Sequence, residues 1–271
     1  MGVLACRGEE EIQPRRWNGY KPPSDCHLPS TVDAARRPRA AAGDSMSTQA
    51  AAAVETKTPL LKSRLGSFLA VVPLSIWVIN HLWDNLSAFN GADAWQKSVT
   101  TYANPFSQVF TFLIVLLPLL MHTGWGLVRL FSFRPNNARY NNYGNLKYIL
   151  QRITAVGVLA FLGAHIWLAF LYPRLVLGHP EAFDDIAREM HHHAPTLVVY
   201  LLGTLGTSYH LANGLQGFAM GWGLLSSERS MRKFEPVVII LFLVLTAMSW
   251  AVIYALYTAG AAFSPVGATP P

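Results

Sequence analysis

The chain has 271 residues, of which 52% are hydrophobic and only 13% are charged, and its net charge is +6. In a soluble globular domain about a quarter of the residues are charged, so this composition argues against one. The basic residues stand in short stretches between apolar runs, which excludes nucleic acid as the expected partner and favours an integral membrane protein.

Residues 1–60 differ in composition from the rest of the chain. They mix arginine–proline runs with acids, and they lack the apolar core of a secretory signal peptide. The apolar surface of this segment is too small to offset the conformational entropy that folding would cost, and we therefore expect a disordered tail. The alternative is that Met46 is the true start of the chain. Both cysteines, Cys6 and Cys26, fall here without CxxC spacing. The sequence therefore predicts neither a cysteine-ligated iron–sulfur cluster nor a disulfide framework.

Five apolar runs follow, each near the ~20 residues that a helix needs to cross a bilayer. They cover residues 65–87, 106–131, 149–172, 195–222 and 236–258. A helix satisfies its backbone hydrogen bonds internally, as hydrocarbon requires. The sequence therefore predicts an all-α integral membrane protein, a five-transmembrane-helix bundle over residues 61–260 with a short C-terminal tail at 261–271.

The number of lysines and arginines alternates between high and low from one loop to the next. Eleven of them flank the ends of the runs on one side, and three lie on the other. Basic residues are enriched in cytoplasmic loops, so we expect a multi-pass protein of the cytoplasmic (inner) membrane with its N-terminus in the cytoplasm and its C-terminus outside. The larger group is Lys57, Lys62, Arg64, Arg129, Arg134, Arg139, Lys147, Arg152, Arg229, Arg232 and Lys233, and the smaller is Lys97, Arg174 and Arg188.

Each of the first four runs contains one isolated histidine, and these are His81, His122, His165 and His210. An ionisable side chain is costly in hydrocarbon and marks function by default. A single histidine is well explained by a hydrogen bond across the bundle. Four of them, one in each helix, favour two haem groups whose irons are each ligated by two imidazoles.

Depth in the membrane predicts how these histidines pair. His81 and His165 lie late in outward-running helices, ~20–25 Å from the cytoplasmic edge at ~1.5 Å per residue. His122 and His210 lie past the middle of inward-running helices, and His122 is ~10 Å from Arg129. We therefore expect the first four helices to ligate two stacked haems, with His81 and His165 in an outer layer and His122 and His210 in an inner one.

Other polar residues have a functional and a simpler interpretation. Arg129 and Arg152 could pair with haem propionates, or they belong to the ordinary basic girdle of the cytoplasmic face. Asp84 and Asp93 could exchange protons with a quinone, or they are solvated residues at a helix end. The histidine run at 191–193 could bind a metal, or it lies in a solvated loop.

Short motifs in three of the runs resemble a known family. The string SRLGS at 63–67, followed by His81, resembles the first helix of the cytochrome b subunit of succinate:quinone oxidoreductases. QRIT at 151–154, leading to His165, resembles its third helix, and YHLANGL at 209–215 resembles its fourth. The similarity is to the five-helix, di-haem kind found in succinate dehydrogenases and fumarate reductases, and it covers about residues 60–258.

The resemblance implies a membrane subunit of a larger enzyme, with a flavoprotein and an iron–sulfur subunit docked on its cytoplasmic face. The succinate site would lie on a partner subunit, so no catalytic residue is expected on this chain. Electrons would pass through the clusters to the inner haem b, the outer haem b and a quinone, or in reverse, with menaquinone favoured over ubiquinone. His122 and His210 would be the proximal pair and His81 and His165 the distal pair. None of the apolar runs contains the buried glutamate that some members use for proton return.

Two other functions fit the same pattern less well. One is the haem b subunit of a hydrogenase or formate dehydrogenase. The other is a transporter whose histidines relay protons, which would require acids or bases along the bundle interior, and the last four runs offer almost none.

Overall fold

A computed structural model describes residues 57–100, 109–131 and 142–265, and these residues form helices and no strands. The α-helices are α1 (Lys57–Asn85), α2 (Ala92–Val99), α3 (Leu117–Phe131), α4 (Tyr143–Ile166), α5 (Phe183–His192), α6 (Ala194–Gly221) and α7 (Glu228–Gly260). A 3-10 helix, Leu86–Asn90, follows α1, and π-helical turns lie at Phe112–Leu116, Trp167–Leu171 and Pro173–Leu177. Met46, nearly all of the predicted N-terminal tail and the last six residues lie outside the described ranges.

Four helical stretches in the described part of the chain are long and apolar enough to cross a membrane. They are Arg64–Asn90, Val109–Phe131, Tyr143–Leu177 and Glu228–Gly260. The fifth predicted span coincides with α6, which has 28 residues and no charged residue. Its many glycine, threonine and amide side chains make it less apolar than the other four, so the fifth crossing stays a prediction.

The position of α6 explains its composition. It packs against α4 and α7 along their lengths and also contacts α1 and α5, while α1 packs against α3. A helix surrounded by protein can bury polar side chains that have partners, and α6 buries Thr196, Ser208 and Gln216. Large apolar side chains are exposed on α1, α3, α4 and α7, and also on α6 at Val198 and Leu202, which is typical of helices that face lipid.

The contact between α4 and α6 depends on one glycine. A Cβ atom at Gly203 would lie 2.2 Å from the ring of Phe161, so no larger residue fits there without movement. Close approach of two backbones through small residues is common in membrane bundles. This contact lies in the half of α6 that precedes His210.

Three helices, α1, α4 and α7, begin several residues earlier than the apolar runs that predict them, and two of these have side-chain caps. Asn142 caps α4, because its side chain accepts a hydrogen bond from the backbone nitrogen of Asn145 at 2.9 Å. Ser227 and Ser230 form a reciprocal capping box at the start of α7. Side-chain caps satisfy the backbone N–H groups that a helix start leaves open. The helices therefore extend into polar sequence, towards the predicted cytoplasmic side.

The connections at the predicted outer end of the bundle contain two short helices, α2 and α5, where the sequence indicated loops. The core between them buries Trp95 of α2, Phe183 and Met190 of α5, and Leu256 of α7. Gln96 joins α2 to the start of α5, because its side chain donates to Glu181 O at 2.9 Å and accepts from Phe183 N at 3.2 Å. These helices form a small packed cap at the predicted outer end of the bundle.

Candidate functional site

The four histidines of the apolar runs lie in two neighbouring pairs. The rings of His122 on α3 and His210 on α6 have centres 6.3 Å apart with an interplanar angle of 63°. The rings of His81 on α1 and His165 on α4 have centres 5.9 Å apart with an angle of 74°. We call these the inner pair and the outer pair, after the layers in which the sequence places them.

The inner pair lines a large cavity. Its volume is about 1260 Å³, and it extends from Arg64, Arg129 and Arg232 at one end of the bundle to Trp77 and Leu162 in the middle. Cofactor and small-molecule pockets usually measure about 300–1,000 Å³. The cavity is therefore large enough for a cofactor of porphyrin size.

Both predicted propionate partners, Arg129 and Arg152, line this cavity. The Nε atom of Arg152 is buried and has no hydrogen-bond partner among the described residues. The guanidinium carbon of Arg152 lies 5.0 Å from the centre of the Tyr148 ring. A buried donor without a partner is uncommon in a folded protein, and here it belongs to a cation beside a cavity.

Aromatic side chains surround the outer pair. The Trp77 ring stacks on His81 with centres 4.6 Å apart and an angle of 9°. The Phe161 ring lies 5.7 Å from His165, and the hydroxyl of Tyr200 lies 3.1 Å from His165 Nδ1. This pair thus lies in a mostly aromatic environment.

A cluster of polar side chains on α4, α6 and α7 also lines the cavity, and the sequence analysis missed it. Glu235 accepts from Lys147 Nζ at 2.8 Å, from the Tyr143 hydroxyl at 2.7 Å and from Gln216 Nε2 at 3.1 Å. Lys147 also donates to Gln216 Oε1. Glu235 is partly buried, with 23% of its side chain exposed, and it lies in α7 one residue before the fifth apolar run.

One signal in the sequence points to this cluster. Polar residues recur on α4 at Lys147, Gln151 and Thr154, and on α6 at His210, Asn213 and Gln216. Spacings of three and four residues place side chains on one face of a helix. Such a stripe in an apolar helix indicates a polar contact with a neighbour, and Gln151 indeed accepts from Asn213 Nδ2 at 2.8 Å.

The two candidate quinone residues lie at the cap end of the bundle. Asp84 is partly buried, and its carboxylate accepts from Asn80 Nδ2 at 2.8 Å. It follows His81 by three residues, so the two share a face of α1. Asp93 is exposed in the first turn of α2.

The histidines at 191–193 contact their neighbours at the end of α5. His191 Nδ1 lies 2.8 Å from Tyr257 O, and His192 Nε2 lies 2.7 Å from Phe263 O. His193 Nδ1 lies 2.9 Å from a carboxylate oxygen of Glu189. Within the described ranges no group of three histidine, cysteine or acidic side chains is arranged to hold a metal ion.

Comparison with known proteins identifies the family. The profile described as "Succinate dehydrogenase/Fumarate reductase transmembrane subunit" matches residues 132–249. The succinate dehydrogenase hydrophobic membrane anchor subunit of Thermoplasma acidophilum is 26% identical over 102 residues, which cover 38% of this chain and 78% of that protein. The succinate dehydrogenase cytochrome b558 subunit of Bacillus subtilis is 32% identical over 193 residues, which cover 71% of this chain and 94% of that protein. The chain therefore belongs to the family of succinate dehydrogenase and fumarate reductase cytochrome b subunits, the membrane anchors of succinate:quinone oxidoreductase.

Proposed function

We propose that this subunit binds two haem b groups, one at the inner and one at the outer histidine pair. A metal–imidazole bond is about 2 Å long and the ring centre lies about 1 Å beyond the nitrogen, so imidazoles on opposite faces of one ion have centres about 6 Å apart. The separations of 6.3 Å and 5.9 Å agree with that value. This agreement is the observation that supports the proposal most directly.

The cavity beside the inner pair supports binding there. A haem carries two carboxylates, and a buried carboxylate needs a positive partner. Arg152 offers its unpartnered Nε, and Arg129 lines the same cavity. We propose that both residues bind the inner propionates, because arginine is well suited to carboxylate binding.

When bound, haem supplies one-electron transfer between the iron–sulfur subunit and the membrane quinone. The histidines, held by four helices, fix the two positions across the bilayer, and the aromatic rings around the outer pair exclude water from it. With the N-terminus in the cytoplasm and α6 as a fifth span, the inner pair faces the docked flavoprotein and iron–sulfur subunits. We propose that the membrane crossed by these helices is the cytoplasmic membrane.

The quinone is proposed to react at the outer end, with menaquinone favoured over ubiquinone. Reduction of a quinone consumes protons, and Asp84 and Asp93 are carboxylates at that end of the bundle. A positioned proton donor typically contributes at least about 100-fold to a rate. Asp84→Asn or Asp93→Asn should then lower quinone reduction by roughly that factor, while Asp184→Asn, at an exposed position on α5, should not. Equal rates in all three variants would exclude these carboxylates.

The haem proposal is tested on the complex isolated with its partner subunits. A pyridine haemochrome assay should give two haems per chain, and one or none would refute the proposal. His81→Ala should remove one haem and His122→Ala the other, whereas His192→Ala, outside both pairs, should retain both. If His81→Ala and His122→Ala removed the same signal, the pairing would be wrong.

Activity measurements separate the roles of the two layers. In His81→Ala, succinate oxidation with a soluble dye should survive, because flavin and clusters belong to the partner subunits. Succinate-dependent quinone reduction should collapse in the same variant, because its last electron carrier is missing. His122→Ala should also weaken docking of the soluble subunits, since the inner haem would lie beneath them.

A further inference from the structure

Helices α4 and α6 each carry one histidine and one side chain that contacts the other helix's histidine. Gln151 on α4 places its Nε2 atom 3.2 Å from His210 Nδ1 and 3.1 Å from His210 O. In return, Tyr200 on α6 places its hydroxyl 3.1 Å from His165 Nδ1. Both contacts are made at Nδ1, which leaves Nε2 of each ring available as a ligand.

We infer that Gln151 and Tyr200 are positioning residues that orient His210 and His165 for haem binding, an inference that rests on the proposed function. A histidine that ligates a metal through Nε2 carries its proton on Nδ1 and donates it to a neighbour. That hydrogen bond fixes the orientation of the ring and raises its basicity as a ligand. Each pair therefore has one histidine whose orientation is set by the neighbouring helix.

The two partners meet this requirement in different ways. A tyrosine hydroxyl both donates and accepts, so Tyr200 can accept from His165 without moving. The amide nitrogen of Gln151 only donates, and its oxygen is occupied by Asn213. Gln151 can therefore accept from His210 only after its amide turns over, together with that of Asn213.

Among the described residues, Thr154 is the other side chain that comes close to His210 Nδ1, and it is a weak acceptor. The hydroxyl of Thr154 donates to Leu150 O at 2.7 Å and keeps its lone pairs to accept, but it lies 3.5 Å from His210 Nδ1, at the limit of a hydrogen bond. A well-placed acceptor for His210 Nδ1 thus requires the amides of Gln151 and Asn213 to turn over, whereas Tyr200 serves His165 without such a change.

The experiment uses the complete purified complex with four single variants. Gln151→Glu supplies a permanent acceptor, and Gln151→Met keeps the length of the side chain but removes its hydrogen bonds. Tyr200→Phe removes only a hydroxyl. Tyr209→Phe is the matched control, because Tyr209 precedes His210 in the chain and its hydroxyl is buried without a hydrogen-bond partner among the described residues. The readouts are the midpoint potentials of the two haems and the rate of haem loss to excess apomyoglobin.

Gln151→Glu should make His210 a more basic ligand, stabilise ferric iron and lower the midpoint potential of the inner haem alone. Gln151→Met should weaken haem retention at that pair about 10- to 100-fold. Tyr200→Phe should raise the midpoint potential of the outer haem alone, and Tyr209→Phe should change neither. Wild-type potentials in Gln151→Glu, or equal shifts in Tyr200→Phe and Tyr209→Phe, would overturn the positioning roles. A wild-type complex without two haems would instead refute the proposed function.

Discussion

At the scale of single residues, the inner end of the bundle concentrates positive charge on one cavity. Arg64, Arg129, Lys147, Arg152 and Arg232 all line it. Lys147 has its charge balanced by Glu235, whereas Arg152 keeps a buried donor without a partner among the described residues. A ligand with carboxylate groups would complete this arrangement, because unpaired buried charge is unfavourable.

Replacement of Arg152 tests that interpretation. A hydrogen bond to a charged group contributes about 1.5–3 kcal/mol, so Arg152→Gln should weaken haem binding at the inner pair by roughly 10- to 100-fold and leave the outer pair intact. Redox difference spectra of the isolated complex measure the haem content of both pairs. Arg174→Gln is the control, because Arg174 is paired with Glu181 near the outer end of the bundle at 2.5 Å. Equal haem loss in the two variants would contradict a specific role for Arg152.

The Lys147–Glu235 pair is expected to behave as a unit. Removal of one partner of this partly buried ion pair leaves the charge of the other uncompensated, which is unfavourable. Lys147→Met should therefore destabilise the complex clearly, and the double variant Lys147→Met with Glu235→Leu should recover much of that loss. Thermal unfolding of the four members of this double-mutant cycle measures the coupling. Additive losses would show that the pair does not act as a unit.

Among the helices, the tight contact between α4 and α6 links the two histidine pairs. It brings the Phe161 ring against the backbone of Gly203, and the same two helices carry Gln151 and Tyr200, which contact each other's histidines. A small displacement of one helix would therefore move a ligand of one pair and the side chain that contacts a ligand of the other pair.

Enlargement of Gly203 should disturb both pairs at once. Gly203→Ala places a methyl group against Phe161, and overpacking of this kind costs about 1–3 kcal/mol. We expect a lower melting temperature and changed spectra of both haems, with partial recovery in combination with Phe161→Leu. Gly157→Ala is the control, since a Cβ there meets no atom within 4 Å. Wild-type stability of Gly203→Ala would show that the two helices can separate freely.

The helical content and the histidines could be predicted from the sequence because both are local signals. A long apolar run indicates a helix, and a histidine inside it stands out. The early starts of α4 and α7 were missed because each helix begins before its apolar run does. The caps at Asn142 and Ser227 lie in polar sequence. The Glu235 cluster was missed for another reason. Glu235 is separated from Lys147 by 88 residues and from Gln216 by 19, so the polar stripes on α4 and α6 indicate a polar contact but not that Glu235 joins it.

At the scale of the whole molecule, the described bundle begins at Lys57, and the sequence before it offers no apolar pattern that could pack against a membrane helix. Removal of residues 1–45, to start at Met46, should therefore leave haem content and assembly with the partner subunits unchanged. Haem per chain and the subunit composition of the purified complex are the measurements. Loss of assembly in the truncated chain would show that the tail takes part in it.

The polar composition of α6 has a consequence for biogenesis. Insertion of a segment into the bilayer depends on its own apolarity, and α6 is the least apolar of the five predicted spans. It should enter the membrane stably only when α4 or α7 is beside it. If α6 did not insert, α7 would have to cross the membrane from the outside to the cytoplasm, and the C-terminus would lie in the cytoplasm. The helix that carries His210 and packs at the centre of the bundle is thus also the one on which the topology of the last third of the chain depends.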